Sequence, residues 1–262
     1  IPFYKRHEIT KHVFKHFYDL KNELKEIVDI IILTCGSDND KSEKIAKEFN
    51  FLYINEKNEP LSQKQNKLYL KAKEFNPDAC MKLDSDTIIT KNYFFLINEL
   101  LLSGYDYISI KDIYFGFNNG VAYWSGYKNH RKGEGVGTGR IMSKKILNDL
   151  NWLPWGDSDL NSGLDGHLTN EIEKRNSYCK CKTKLLSCKD DDFICVDLKS
   201  NIGISNPNDF IYDDWYSYDN NNDFNELLDE IKHNLIYYKR VSKIKYNMIT
   251  KGTTAQMKIT DE

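Results

Sequence analysis

The triplet Asp84-Ser85-Asp86 is the part of this sequence best suited to chemistry. Two carboxylates one residue apart at the end of a strand can approach one divalent ion, directly or through water. Such an ion neutralises a diphosphate, and it helps most where charge grows on a departing phosphate oxygen, because it then stabilises the transition state more than the ground state. D-x-D triplets also occur in solvated turns. The position of this one favours the metal reading, since it follows directly on Ala79 to Leu83, a compact apolar strand.

Other chemistry-bearing groups carry weaker signals. Gly135-Val136-Gly137-Thr138-Gly139-Arg140 lies in a flexible loop from Gly133 to Gly139. It is no dinucleotide fingerprint, because that motif follows the first strand and opens the first helix. His12 and His16 share a helix face at metal-ligand spacing, but the lysines around them read as a solvated face. Of six cysteines, Cys35 and Cys80 fall in predicted buried strands, where thiols behave as small hydrophobes, so disulfides are not expected. Cys179, Cys181, Cys188 and Cys195 lie close enough in sequence to ligate zinc, yet they lack paired C-x-x-C knuckles, and reduced cysteines in a hairpin are the favoured reading. Trp152 and Trp155 flank Pro154 and suit core packing first, ring stacking second.

The elements that must hold these groups alternate. Apolar residues from Ile9 to Ile27 recur at three- and four-residue spacing and predict a helix over 8–27. A strand is expected over 29–34, a helix over 41–49, a strand over 51–55, a helix over 62–75 and the strand over 79–83. This order predicts a doubly wound α/β sheet with ligands beyond the carboxyl ends of its strands, where the acidic triplet lies. Ile1-Pro2-Phe3 leads straight into the first helix, so a first strand is expected to be cut short or to begin at residue 1. After a helix beyond Lys91 and a strand over 105–110 the alternation breaks. Residues 114–127 predict antiparallel strands and turns, and Ser143 a helix cap. The run from Asp219 to Asp223 reads as a loop, and Asp223 with Glu226 as a capping box for a last helix.

The totals bound the reading. With 262 residues and 40% hydrophobic content, one generous domain with a deep core is expected. Thirty-seven basic against thirty-nine acidic residues give no global cationic field of the kind that drives sequence-independent nucleic-acid binding. No apolar run approaches the roughly 20 residues of a membrane span, and the opening segment lacks a signal-peptide core. The expectation is a soluble, cytoplasmic protein.

Four short segments, in order, resemble glycosyltransferase family 2 and its phage and bacterial relatives. They are Ile1-Pro2-Phe3-Tyr4-Lys5-Arg6, Cys35-Gly36-Ser37-Asp38, Asn58 to Asn66, and Lys82-Leu83-Asp84-Ser85-Asp86. The resemblance implies a GT-A fold, a Rossmann-like, mostly parallel sheet with a smaller antiparallel acceptor-side portion. It implies a single catalytic domain over 1–240, divided into a nucleotide-sugar half over 1–111, an acceptor half over 112–215 and a C-terminal helix over 216–240, followed by a tail over 241–262. The implied activity is transfer of a sugar from a nucleoside-diphosphate sugar, UDP-linked for preference, with inversion. The implied cofactor is Mn²⁺ or Mg²⁺ on Asp84 and Asp86.

Carried over residue by residue, the resemblance implies that Pro2, Tyr4, Arg6, Ser37, Asp38, Lys64, Asn66, Asp84, Ser85 and Lys199 bind the donor. Gly137, Gly139 and Arg140 would face the acceptor; Trp155 is a further acceptor candidate through ring stacking and not through the resemblance. The base that takes the acceptor proton is expected at Asp165, ahead of a helix over 168–174, although Leu164 stands where relatives carry an acid and Asp157 and Asp159 are rivals. A helix cap is the alternative role for Asp165. His167 is a candidate for a late metal ligand. The acceptor is left open among a glycan, a lipid-linked sugar, a protein and a hydroxymethylated pyrimidine in phage DNA. Two other classes compete: a nucleotidyltransferase, which would want an early glycine-rich phosphate loop, and a non-catalytic carbohydrate-binding module built on Trp124, Trp152, Trp155 and Trp215.

Overall fold

The structure, a computed structural model, describes residues 1–38, 40–117, 120–198 and 216–217. The predicted last helix after 217, the tail, Lys199 and Trp215 lie outside the described residues.

The first half follows its hydrophobic pattern. Helix α1 (His7–Leu24) buries Val13, Phe14, Phe17, Leu20 and Leu24 along one stripe. Phe14 meets the rings of Phe3, Phe49 and Phe51 at centroid separations of 5.3, 6.2 and 5.2 Å. Strand β1 (Leu33–Gly36) pairs in parallel with β2 (Leu52–Asn55), and α2 (Asp40–Glu48) connects them. The strand expected from residue 29 starts at Leu33 because its neighbours reach no further: β2 begins at Leu52, and on the other side only residues 1–3 run alongside. There Cys35 donates to the Ile1 carbonyl at 3.0 Å and Phe3 donates to the Cys35 carbonyl at 2.9 Å. The strand expected at residue 1 is therefore present as this short parallel segment.

Helix α3 (Leu61–Lys73) leads to β3 (Ala79–Lys82) and then to β4 (Thr87–Ile89), α4 (Lys91–Leu102) and β5 (Tyr107–Ile110). A hairpin of β6 (Ile113–Phe117) and β7 (Gly120–Trp124) meets the expectation of antiparallel strands. Strand β8 (Arg140–Ser143) feeds α5 (Lys144–Asp149), whose cap is Ser143, as expected, accepting from the Ile146 N–H. Helix α6 (Leu164–Cys179), β9 (Thr183–Leu186), β10 (Cys195–Leu198) and β11 (Tyr216–Ser217) complete the described chain. Tyr216 and Ser217 pair with β7 as a strand, so the helix expected from residue 216 does not start there.

The sheets are mixed. The pairs β1·β2, β5·β9 and β6·β10 are parallel. The pairs β3·β8, β5·β8, β6·β7, β4·β10 and β7·β11 are antiparallel. The expected mostly parallel arrangement gives way at β8, which returns between β3 and β5 in the order β3-β8-β5-β9. Nothing local in residues 140–143 announces that direction.

The cysteines divide among separate parts of the core. Cys188 and Cys195 are buried with Ile89, Ile110 and Phe193, whereas Cys181 packs against the group around Leu168 and Trp152. No helix among the described residues is long and apolar enough to cross a membrane.

Phe14 is fully buried at the centre of this aromatic group. Phe14→Ala is expected to lower unfolding free energy by about 3–5 kcal/mol through lost transfer energy and a residual cavity, as measured by urea denaturation.

Candidate functional site

The register of β3 against β8 builds the site. Lys82 lies opposite Arg140, so the residues that follow Lys82 run against those that precede Arg140. Gly139 donates to the Lys82 carbonyl at 2.7 Å, and the Asp84 N–H donates to Thr138 Oγ1 at 3.3 Å. The glycine loop is thereby pressed onto the acidic triplet, although more than fifty residues separate them in sequence.

The same loop touches Asp165. A Cβ at Gly137 would stand 2.4 Å from Asp165 Oδ1, closer than any side chain permits. Gly139 has φ +73°, a left-handed conformation suited to glycine, and a Cβ there would meet Ile110 Cδ1 at 2.5 Å. Arg140 fixes the loop from below. It is 1% exposed, and its guanidinium donates to the carbonyls of Gly135 at 2.5 Å, Val136 at 2.8 Å and Asp165 at 3.1 Å. Its distance to Asp165 Oδ1 is 3.8 Å. Arg140 is expected from the sequence to face the acceptor. Its donors are instead spent on backbone, because a buried guanidinium needs acceptors on every side.

Asp165 sits in the first turn of α6, which begins at Leu164 after the left-handed Gly163, four residues earlier than expected. It is therefore not the cap residue, although its charge suits the helix N-terminus. Its side chain is partly open, and Tyr127 Oη donates to its Oδ2 at 3.3 Å. The Arg131 guanidinium lies 3.5 Å from the Tyr127 ring centroid and bonds Glu134 at 2.9 and 2.7 Å. Asp157 and Asp159, the rival bases, are exposed on the preceding loop.

On the other side of the triplet, Lys82 Nζ stands 2.8 Å from Asp84 Oδ1 and 2.9 Å from Oδ2. Burial alone would raise the Asp84 pKa, but the Lys82 ammonium and, behind it, Arg6 overcome it and hold the carboxyl below its usual range. The Arg6 guanidinium pairs with Asp86 Oδ2. Between them the Ser85 hydroxyl is buried and has no hydrogen-bond partner among the described residues.

The segment from Phe3 to His7 ties this corner to the ends of the parallel strands. His7 Nε2 lies 2.6 Å from Asp38 Oδ2, and Ser42 donates to Asp38 Oδ1. Lys64 is 1% exposed and donates to the Phe3 carbonyl at 2.7 Å, Ser37 Oγ at 2.6 Å and Asn58 Oδ1 at 3.3 Å. Burial pushes its ammonium down to about 8, with Asp38 and Glu56 pulling partly back. Arg6, Ser37, Asp38, Lys64, Asp84, Ser85 and Asp86 thus form one connected polar region, into which Pro2 and Tyr4 lead along the chain.

Asn66 and Trp155 belong elsewhere. The Asn66 amide donates to the Gly156 carbonyl at 2.8 Å and accepts from the Trp155 N–H at 3.3 Å, so it holds the 153–163 loop, not the Ser37 region. Trp155 is 3% exposed, packs against the tilted ring of Tyr69 at a centroid separation of 5.9 Å and donates its indole N–H to the Leu164 carbonyl at 3.1 Å. Packing has taken its faces. Trp152 is likewise buried. His16 turns inward, with Nε2 2.9 Å from the Ile89 carbonyl and its pKa lowered by burial, whereas His12 is exposed, so the two do not form one solvated face.

Sequence reading missed four contributors: His7, Lys82, Tyr127 and Thr138. Lys82 was legible, being two residues from Asp84 and so on the same face of an extended chain. Tyr127 was not, since only tertiary folding brings it to Asp165.

Among the described residues no three His, Cys, Asp or Glu side chains group as a metal cage. Two carboxylates completed by phosphate oxygens and water are nevertheless a sufficient donor set for magnesium or manganese, so the Asp84–Asp86 pair fits such an ion. Gly137→Ala is expected to displace Asp165 and to cost about 1–3 kcal/mol by overpacking, read as a lower urea midpoint with an unchanged far-UV spectrum.

No family model matches the sequence, and no curated protein matches it. Among solved structures, a cytidylyltransferase from Leptospira borgpetersenii serovar Hardjo-bovis is similar at 17% identity and a TM-score of 0.43, over 70% of this chain and 66% of the other. A protein of Desulfovibrio desulfuricans G20, provisionally assigned as a nucleotide-diphospho-sugar transferase, is similar at 14% identity and a TM-score of 0.39, over 71% of this chain and 78% of the other. This chain therefore spans about two thirds of the length of the first. Likeness at this level identifies neither fold nor activity.

Proposed function

We propose that this chain is a metal-dependent glycosyltransferase of the GT-A type, moving a sugar from a nucleoside-diphosphate sugar onto an acceptor hydroxyl. One observation carries the reading. The glycine loop touches the Asp84 backbone through Thr138 and the Asp165 carboxylate through Gly137, so a corner suited to a diphosphate and a partly open carboxylate lie on two sides of one loop. Transfer with inversion needs that pairing, with the leaving diphosphate on one side of the sugar and a base for the incoming hydroxyl on the other.

In this proposal Asp84 and Asp86 hold Mn²⁺ or Mg²⁺, which when bound supplies positive charge to the departing diphosphate. The polar region of Arg6, Ser37, Asp38 and Lys64 receives the nucleotide, UDP for preference. Lys64 acts chiefly from behind: its three hydrogen bonds fix Phe3, Ser37 and Asn58 relative to one another and so shape the donor wall. Gly137 and Gly139 let backbone approach the transferred sugar. Asp165, oriented by Tyr127 and Arg140, accepts the acceptor proton. The parallel pairing of β1 with β2 across α2 supports the GT-A reading. A glycan hydroxyl and the hydroxymethyl group of a modified pyrimidine in phage DNA are the proposed acceptors.

The test is a screen of nucleotide sugars for turnover with manganese and with EDTA, followed by addition of each acceptor. Asp84→Asn and Asp86→Asn are each expected to reduce manganese-dependent donor turnover by roughly 10²-fold or more. Asp165→Asn is expected to reduce transfer by about 10²–10⁴-fold with donor binding unchanged. Full activity in either of the first two variants would discard the donor corner; full transfer by the third would discard the base.

A further inference from the structure

The acidic triplet arrives with its own cations. Lys82 Nζ lies within 2.9 Å of both Asp84 oxygens, and Arg6 occupies Oδ2 of Asp86. Lys82, Arg6 and Asp86 are largely withdrawn from solvent, with side chains 12%, 17% and 10% exposed, so their charges are screened less than surface charges. Two carboxylates and two cations leave this quartet formally neutral. A divalent cation approaching it gains no net attraction, and it must compete for oxygens that already accept charge-assisted hydrogen bonds.

We propose that Arg6 and Lys82 are exchangeable counter-ions of the carboxylate pair, displaced when a divalent cation arrives together with a nucleoside diphosphate. This rests on the glycosyltransferase reading and specifies its donor step. The diphosphate brings the negative charge that the displaced guanidinium and ammonium then face, so the exchange costs little only when both partners bind. Arg6 is placed for such a movement. It directly precedes α1, with ψ of 53° and no side-chain cap, and follows Lys5, whose φ of 63° is uncommon for a residue with a Cβ. Its side chain can therefore turn without unwinding the helix. The arrangement protects two nearly adjacent carboxylates from mutual repulsion before the donor binds, and it disfavours capture of a bare metal ion.

Manganese binding to the full chain, followed through the electron paramagnetic resonance signal of free Mn²⁺ with and without UDP, tests this directly. Wild type is expected to bind manganese roughly 10-fold or more tightly with UDP than without, and by linkage manganese must raise UDP affinity by the same factor. Arg6→Gln removes one resident cation. Manganese alone should then bind about 5-fold more tightly, and the gain conferred by UDP should shrink. Arg6→Lys keeps the charge and should behave as wild type, while Lys82→Met tests the same exchange at Asp84 should Arg6→Gln fail to fold. Unchanged or weaker manganese binding in both folded charge-removing variants would overturn the exchange while leaving the donor corner intact. Absence of manganese binding to wild type, with or without UDP, would overturn the exchange and the metal-dependent reading together.

Discussion

A single buried guanidinium organises the site. Arg140 enters β8 opposite Lys82 and donates to three carbonyls, two in the glycine loop and one at the start of α6. Burying a guanidinium is costly unless its donors are met. Meeting them here fixes the loop between the acidic triplet and Asp165. Those acceptors all lie between Gly135 and Asp165, so the cation ties the glycine loop to the start of α6, while the pairing of β8 with β3 brings both against the acidic triplet of the first half.

A second buried cation does similar work where the donor is proposed to bind. Lys64 spends its three donors on Phe3, Ser37 and Asn58, and so assembles the ends of three segments that the sequence separates. The proposed donor region is consequently held where Lys64 bonds Phe3, Ser37 and Asn58, and in our proposal exchangeable where Arg6 and Lys82 meet carboxylates. Stiff walls with movable charges suit a ligand that carries its own charge and metal.

The alternation of strands and helices through Asp86 was legible because each element declares itself locally, by apolar spacing in α1 or by a short apolar run before the triplet. The polarity of β8 was not. Direction is set by which neighbours a strand finds, and Arg140 to Ser143 reads the same in either sense. The site divides along the same line. Asp84 and Asp86 follow from the end of an apolar strand and the Ser37–Lys64 neighbourhood from the resemblance alone, whereas the partners of Arg140, Asn66 and Trp155 depend on burial that no local pattern announces. An arginine beside a glycine-rich loop suggested a ligand, and its actual partners are the loop's own carbonyls. Asn66 and Trp155 bond each other for a comparable reason: α3 needed a partner for its amide, and the loop over 153–163 supplied it.

Anomalous scattering from crystals grown with manganese and UDP addresses the central claim most directly. The account predicts one manganese peak within coordination distance of Asp84 and Asp86, bridged to the diphosphate, with the Arg6 and Lys82 side chains turned from the carboxylates toward phosphate oxygens. A nucleotide bound elsewhere, with both ion pairs still closed and no peak at the triplet, would contradict it.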